Sequence, residues 1–187
     1  MIESYEVFHH KKGKDILTGL AEFDDIEHVL TGFVFDSNDL LAGGGGKSLI
    51  ATRINDAFKS IGWVERSVAL NLSQYGGVGH YNTHRIDCLK NRVAMEIEWN
   101  NKDPFFHRDL VNMRLLYEHG LIDVGVIITR STSLNMVFRR LEESHGLSKT
   151  KYVSSTTHMD NLTPLIQCNV AGDCPIVAFG ITKELMV

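Results

Sequence analysis

Proline is scarce: three residues in a chain of 187. That composition does not suit long disordered linkers. Cysteine is equally sparse. Cys88, Cys168 and Cys174 are odd in number and lack paired spacing, which excludes the usual disulfide framework and points to a reducing, cytoplasmic setting. Basic charge is in deficit, with 19 Lys and Arg against 23 Asp and Glu and a net charge of −4. A general nucleic-acid coat protein would be basic; an enzyme with one local basic face need not be. The opening Met1-Ile2-Glu3-Ser4-Tyr5-Glu6 carries acid where a secretory signal carries base, and no apolar core follows it. No run approaches the roughly 18 apolar residues needed to span a bilayer. A soluble protein without a membrane partner is expected.

What is present suits one globular domain spanning residues 1–187. The apolar fraction is 43% and the charged fraction 22%, ordinary values for a packed core with a solvated surface. Helical spacing of apolar residues predicts helices over Ala21–Leu30, Leu49–Ile61, Phe105–His119 and Leu134–Glu143, with Ser48 as an N-cap and Gly62 and Gly120 as stops. Asp36–Lys47 reads as a polar, glycine-rich loop. Phe33–Phe35, Ser67–Leu72, Arg85–Leu89, Val93–Trp99, Val124–Thr129 and Ile176–Ile181 read as strands. Strands and helices alternate through the second half, so the expected fold is α/β: a central mixed sheet flanked by helices.

The chemistry concentrates between residues 85 and 98. In Val93–Trp99 the residues Val93, Met95, Ile97 and Trp99 alternate with Ala94, Glu96 and Glu98. A period of two places both glutamates on one face. Arg85–Leu89 precedes it across a turn at Lys90-Asn91, so antiparallel pairing would bring Asp87 towards that face. Three converging carboxylates repel unless a cation neutralises them. A hard oxygen set suits Mg²⁺, which retains waters and takes up phosphate oxygens; phosphodiester hydrolysis fits. The same spacing also describes a solvated strand face, or the carboxylate pair of a glycosidase.

Several blocks together resemble one family. Met95-Glu-Ile-Glu-Trp-Asn-Asn-Lys-Asp-Pro-Phe-Phe-His-Arg-Asp-Leu110 and Val124-Gly-Val-Ile-Ile-Thr-Arg-Ser131 are similar to the BglII/BstYI family of type II restriction endonucleases, within the PD-(D/E)XK nuclease class. So are Gly44-Gly-Gly-Lys-Ser48 before a helix ending at Gly62-Trp63, Ser155-Thr-Thr-His-Met159, and Cys174-Pro-Ile-Val-Ala-Phe-Gly-Ile181. The resemblance implies a restriction-endonuclease-like fold and a homodimer cutting a short palindromic site in double-stranded DNA with Mg²⁺. It implies a cognate methyltransferase in the same system, and sites built around GATC are common in the family. By resemblance Asp87 and Glu96 are metal ligands, joined by the Ile97 carbonyl, and the third catalytic position is Glu98. That position is usually Lys in the wider class and Gln in BglII-like members. A carboxylate there can hold a second metal or act as a metal-assisted base. A non-catalytic DNA-binding module on the same fold is the alternative.

For DNA contact, Asn100 and Asn101 match family positions that reach bases, and Lys102 a phosphate contact; asparagine pairs bidentately with adenine. Arg130, Ser131 and Thr132 lie between a buried strand and a helix start, where an anion or guanine could be read; helix capping by Ser131 is the plain reading of the same residues. Ser154–Met159 reads as a hydroxyl-rich loop near DNA or the dimer contact. Gly43–Lys47 departs from a phosphate-binding loop, because Leu41 stands where its first glycine would be. His80 and His84 do not complete a closed zinc site.

Overall fold

In a computed structural model of the chain, the residues described are 2–41, 48–71, 79–99, 101, 105–145 and 155–187. In chain order they form β1 (Tyr5–His10), α1 (Gly13–Thr18), α2 (Glu22–Gly32), α3 (Ser37–Leu41), α4 (Leu49–Ser60), β2 (Val64–Arg66), β3 (Ala69–Asn71), β4 (His80–Asn82), β5 (Ile86–Lys90), β6 (Val93–Ile97), α5 (Phe105–Glu118), β7 (Val124–Arg130), α6 (Asn135–His145), α7 (Met159–Gln167) and β8 (Ile176–Ile181).

Six strands make one mixed sheet in the order β1-β8-β7-β6-β5-β2, and β3 pairs with β4 separately. The centre, β6-β7-β8, is parallel; β1, β5 and β2 add antiparallel pairs. Parallel neighbours need long crossovers, and α5 supplies one between β6 and β7 while α6 and α7 lie between β7 and β8. The expected mixed sheet flanked by helices is the observed architecture.

The alternation in β6 sorts the core into two layers. Val93, Met95, Ile97 and Trp99 pack with Ile26, Leu30, Ile54, Phe58 and Phe138 on one face. Ala94 joins Phe106, Leu110, Met113, Leu162 and Ile166 on the other. Glu96 and Glu98 share the parity of Ala94 and therefore belong to the face covered by α5.

The predicted helices are found with ends shifted by no more than two residues. Ser48 caps α4 by accepting from the Ala51 N–H at 3.1 Å. The predicted β5–β6 hairpin is present, and Asn91 takes the left-handed conformation (φ 44°) its turn requires. Three expectations need correction. Phe33–Phe35 is not a strand; Phe35 makes a single bridge to Met186. The loop assigned from Asp36 begins as the short helix α3, where Asp36 and Asp39 exchange side-chain-to-backbone bonds of 3.0 Å. Among the described residues of Ser67–Leu72 the strand is β3 alone, and Leu72 lies outside the described residues. The sequence reading missed β1, α1, β2, β4 and α7. In β1 only Tyr5 is buried, the rest being half-buried or exposed without alternation, so its pairing with β8 rather than its own periodicity makes it a strand. Gly13, after β1, sits so close to β8 that an added Cβ would lie 2.5 Å from the Ile176 carbonyl oxygen. Gly43–Lys47, Asn100, Lys102 and Ser154 lie outside the described residues.

Candidate metal-binding active site

The β5–β6 hairpin sets the first part of the site. Cys88 lies opposite Met95 and Lys90 opposite Val93, which carries Asp87 to the level of Glu96. The two are linked through the backbone: the Asp87 N–H donates to Glu96 Oε2 at 3.2 Å, and the Ile97 N–H donates to Asp87 Oδ2 at 3.0 Å. Asp87 is half-buried. Glu96 and Glu98 are only 3% and 5% exposed, so the face they occupy is not a solvated one.

The second part comes from α5. Its buried stripe holds Phe106, Leu110, Met113 and Leu116 but also Asp109 and Asn112. Helical spacing of three and four places these polar residues in the apolar register, and the packing of α5 against the sheet delivers them to the β6 glutamates. Asp109 is fully buried. The third part is His84, just before β5. Its segment is anchored by Thr83, whose N–H donates to the Val68 carbonyl and whose Oγ1 accepts from the Val68 N–H, both at 2.9 Å. His84 Nε2 lies 2.9 Å from Glu96 Oε1 and 3.3 Å from Asp109 Oδ1. Its Nδ1 faces the Asn112 side-chain amide, and Asn112 Oδ1 accepts from the Tyr81 hydroxyl at 3.0 Å.

Four carboxyl groups and one imidazole thus meet under α5. Arg108 offsets part of the charge, with Nη2 3.0 Å from Asp109 Oδ1 and 3.6 Å from Glu98 Oε1, while its guanidinium lies over the Phe105 ring at 4.5 Å. It does not balance the group. Burial, then the charges of Asp109 and Asp87, push Glu96 well above the usual carboxylate range. Burial and the neighbouring Asp109 push Glu98 up to about 9. Burial also raises Asp109, against the pull of Arg108 and His84. His84 is lowered by burial and by the Arg108 charge. Without a further cation, the cluster retains protons that isolated carboxylates would shed at neutral pH.

A divalent cation fits this set on a structural ground. Among the described residues, His84 Nε2 makes no hydrogen bond and buried Asp109 Oδ2 has only the Glu98 carboxyl beside it, although buried polar atoms normally find a partner. Donor atoms from His84, Glu96 and Asp109 lie within 4.8 Å of one another. The residues present could therefore hold an ion between β5, β6 and α5.

The other expected site residues behave differently. Asn101 is close to the centre, but its side-chain amide donates to Glu98 Oε2. Its backbone is tied to residues 155–157, through its N–H to Thr157 Oγ1 at 3.0 Å and its carbonyl to Ser155 Oγ at 3.0 Å. Those contacts bury Ser155 and Thr157, so this part of the hydroxyl-rich segment packs against the end of β6. Arg130 is only 1% exposed; its guanidinium lies over Phe138 at 4.8 Å and donates to the Ser155 carbonyl at 3.3 Å. Ser131 is buried and caps the turn after β7 by accepting from the Ser133 N–H at 3.1 Å, the plain reading of that residue. Thr132 is half-buried beside His158. His80 lies exposed in β4, outside the ligand group to which His84 contributes.

Sequence reasoning missed Arg108, Asp109 and Asn112, and it set His84 aside with His80 as an incomplete zinc site. For Asp109 a signal existed: an acid three residues after Phe106 and four before Met113 interrupts an otherwise apolar stripe. For His84 the sequence offered the residue but not its partners, since its placement beside Glu96 and Asp109 depends on the β3–β4 pair.

The restriction endonuclease BglII/BglIII family matches residues 5–181, a span that includes every element of the site. No curated protein sequence matches the chain.

Proposed function

Because the chain belongs to the restriction endonuclease BglII/BglIII family, whose substrate is DNA, we propose that it is a Mg²⁺-dependent type II enzyme. Its substrate would be a short palindromic site in duplex DNA, GATC-containing by analogy with the family. Asp87, Glu96 and Glu98 are the catalytic carboxylates in this reading, and Asp87, Glu96 and the Ile97 carbonyl the metal ligands. Residues 1–187 work as one catalytic domain.

The observation that carries the proposal is the burial of Glu96 among Asp87, Asp109 and Glu98 with one guanidinium beside them. Such a group is costly unless a cation joins it. A bound divalent ion would supply charge stabilisation at the scissile phosphate and a more acidic water. The chain's own part is positioning. The Ile97 N–H fixes Asp87, and the Asp87 N–H fixes Glu96, so both carboxylates are held by backbone rather than by mobile side chains. Glu98 is the proton acceptor for the attacking water. Burial and Asp109 make its carboxyl strongly basic, and positive charge nearby would bring it towards the working pH, where general bases are most effective. The Asn101 amide orients it.

Two-fold symmetry of a palindrome matches a homodimer. Asn100, Asn101, Lys102, Arg130, Ser131 and Thr132 are the proposed DNA-facing set. For Arg130 that role requires its guanidinium to leave Phe138. A methyltransferase protecting the same site completes the system. No helix among the described residues is long and apolar enough to cross a membrane, in keeping with the proposed cytoplasmic setting.

The test is digestion of DNA of known sequence with Mg²⁺, followed by end mapping, for the wild type and Glu96→Ala. Discrete fragments with common ends, lost in EDTA and in the variant, are expected. Salt-sensitive duplex binding without any cutting would instead identify a non-catalytic module. Metal-independent cutting would overturn the mechanism.

A further inference from the structure

We propose that His84, Glu96 and Asp109 form a second cation site, distinct from the Asp87–Glu96 position and sharing Glu96 with it. Its mixed nitrogen and oxygen donors select a divalent transition ion. The inference relies on the nuclease reading only for the role of Glu96.

The two separations from the imidazole have the values that a shared ion imposes. Donors bonded at about 2.1 Å to one ion lie about 3.0 Å apart at octahedral angles and about 3.4 Å apart at tetrahedral ones. His84 Nε2 is 2.9 Å from Glu96 Oε1 and 3.3 Å from Asp109 Oδ1. Despite those distances Nε2 makes no hydrogen bond among the described residues, and Asp109 Oδ2 is likewise buried with only the neighbouring Glu98 carboxyl to share a proton with it. The imidazole therefore approaches both carboxylates and is aligned with neither, as a ring directed at a point between them would be. All three donors lie within 4.8 Å of one another.

The chemistry of the set differs from that of the first position. Asp87, Glu96 and a backbone carbonyl offer only oxygen, the preference of Mg²⁺ and Mn²⁺; an imidazole adds affinity for later transition ions such as Co²⁺ and Zn²⁺ over Mg²⁺. Ligation at Nε2 requires the ring proton on Nδ1. A half-turn of the Asn112 amide would present its oxygen there at the cost of the bond that Asn112 Nδ2 now donates to the Arg108 carbonyl at 2.8 Å, and the Tyr81 hydroxyl, which now donates to Asn112, can equally accept. Asn112 and Tyr81 would then be the outer partners that orient the ligating ring.

The test is Mn²⁺ titration by electron spin resonance on the full chain after removal of metals with EDTA. The wild type is expected to bind two ions per chain. His84→Gln and Asp87→Asn should each bind one, and Glu96→Gln none. Thermal melts identify any variant that has not folded. A second readout needs no variant: Co²⁺ added to the wild type should give a paramagnetically shifted, exchangeable imidazole N–H proton resonance. Retention of both ions by His84→Gln, or absence of the shifted imidazole proton, would overturn the proposal. DNA cleavage is scored separately with Mg²⁺. Loss of one ion in His84→Gln with no cutting by the wild type would leave this site standing and remove the nuclease reading. Cutting by the wild type with unchanged ion number in His84→Gln would do the reverse.

Discussion

Replacing Glu98 by glutamine should make the metal-free protein more stable, by an amount that grows with pH. The side chain is 5% exposed, accepts from the Asn101 amide and lies against Asp109. Burial and Asp109 raise its pKa from 4.5 to about 9. A carboxyl raised in this way favours the fold in its protonated form. That stability is complete below 4.5 and is lost as pH rises towards 9, because the unfolded chain ionises first. Between 4.5 and pH 7, at about 1.4 kcal/mol per pH unit, the loss reaches about 3 kcal/mol. Glutamine keeps the shape, can still accept from Asn101, can donate to Asp109, and has no proton to lose. In EDTA at pH 7 the variant should gain up to about 3 kcal/mol, which for a chain of this length corresponds to roughly 6 to 12 °C in Tm. Urea unfolding of both proteins from pH 5 to pH 8 measures the gap, which should be below about 1 kcal/mol at pH 5 and widen steadily. A gap independent of pH, or a variant less stable at pH 8, would refute the electrostatic account of the site.

Three further outcomes are expected. Adding Mg²⁺ at about a hundred times its Kd should raise wild-type stability by about 3 kcal/mol, read as a thermal shift, with little effect on Glu96→Gln. Glu96→Ala should retain its far-ultraviolet circular dichroism yet lose at least about a hundredfold in cleavage rate, since even outer partners of a metal site cost ten to a hundredfold. Gly13→Ala should destabilise by about 1 to 3 kcal/mol in urea, because its methyl group would meet the Ile176 carbonyl oxygen at 2.5 Å and β8 is too tightly packed to yield.

The candidate site separates into a local part and a non-local part. The alternation of Val93, Met95 and Ile97 with Ala94, Glu96 and Glu98, and the turn at Asn91, are short-range patterns. They were enough to predict the β5–β6 hairpin, the shared face of the glutamates and the approach of Asp87. The capped helix after Ser48 was legible for the same reason. The family matching residues 5–181 agrees with the resemblance drawn from residues 44–181.

What the sequence determined by itself is therefore the identity and facing of the strand carboxylates. Only the tertiary structure decided what stands opposite them. The crossover of α5 brings Asp109 over β6, and the β3–β4 pair steers His84 to Glu96. Arg130 and Ser155, 25 residues apart, bury one another behind Asn101. Backbone periodicity fixes the direction of a side chain relative to its own element. Contacts between elements depend on how whole layers pack, and that information is spread over the entire core rather than written in any one segment.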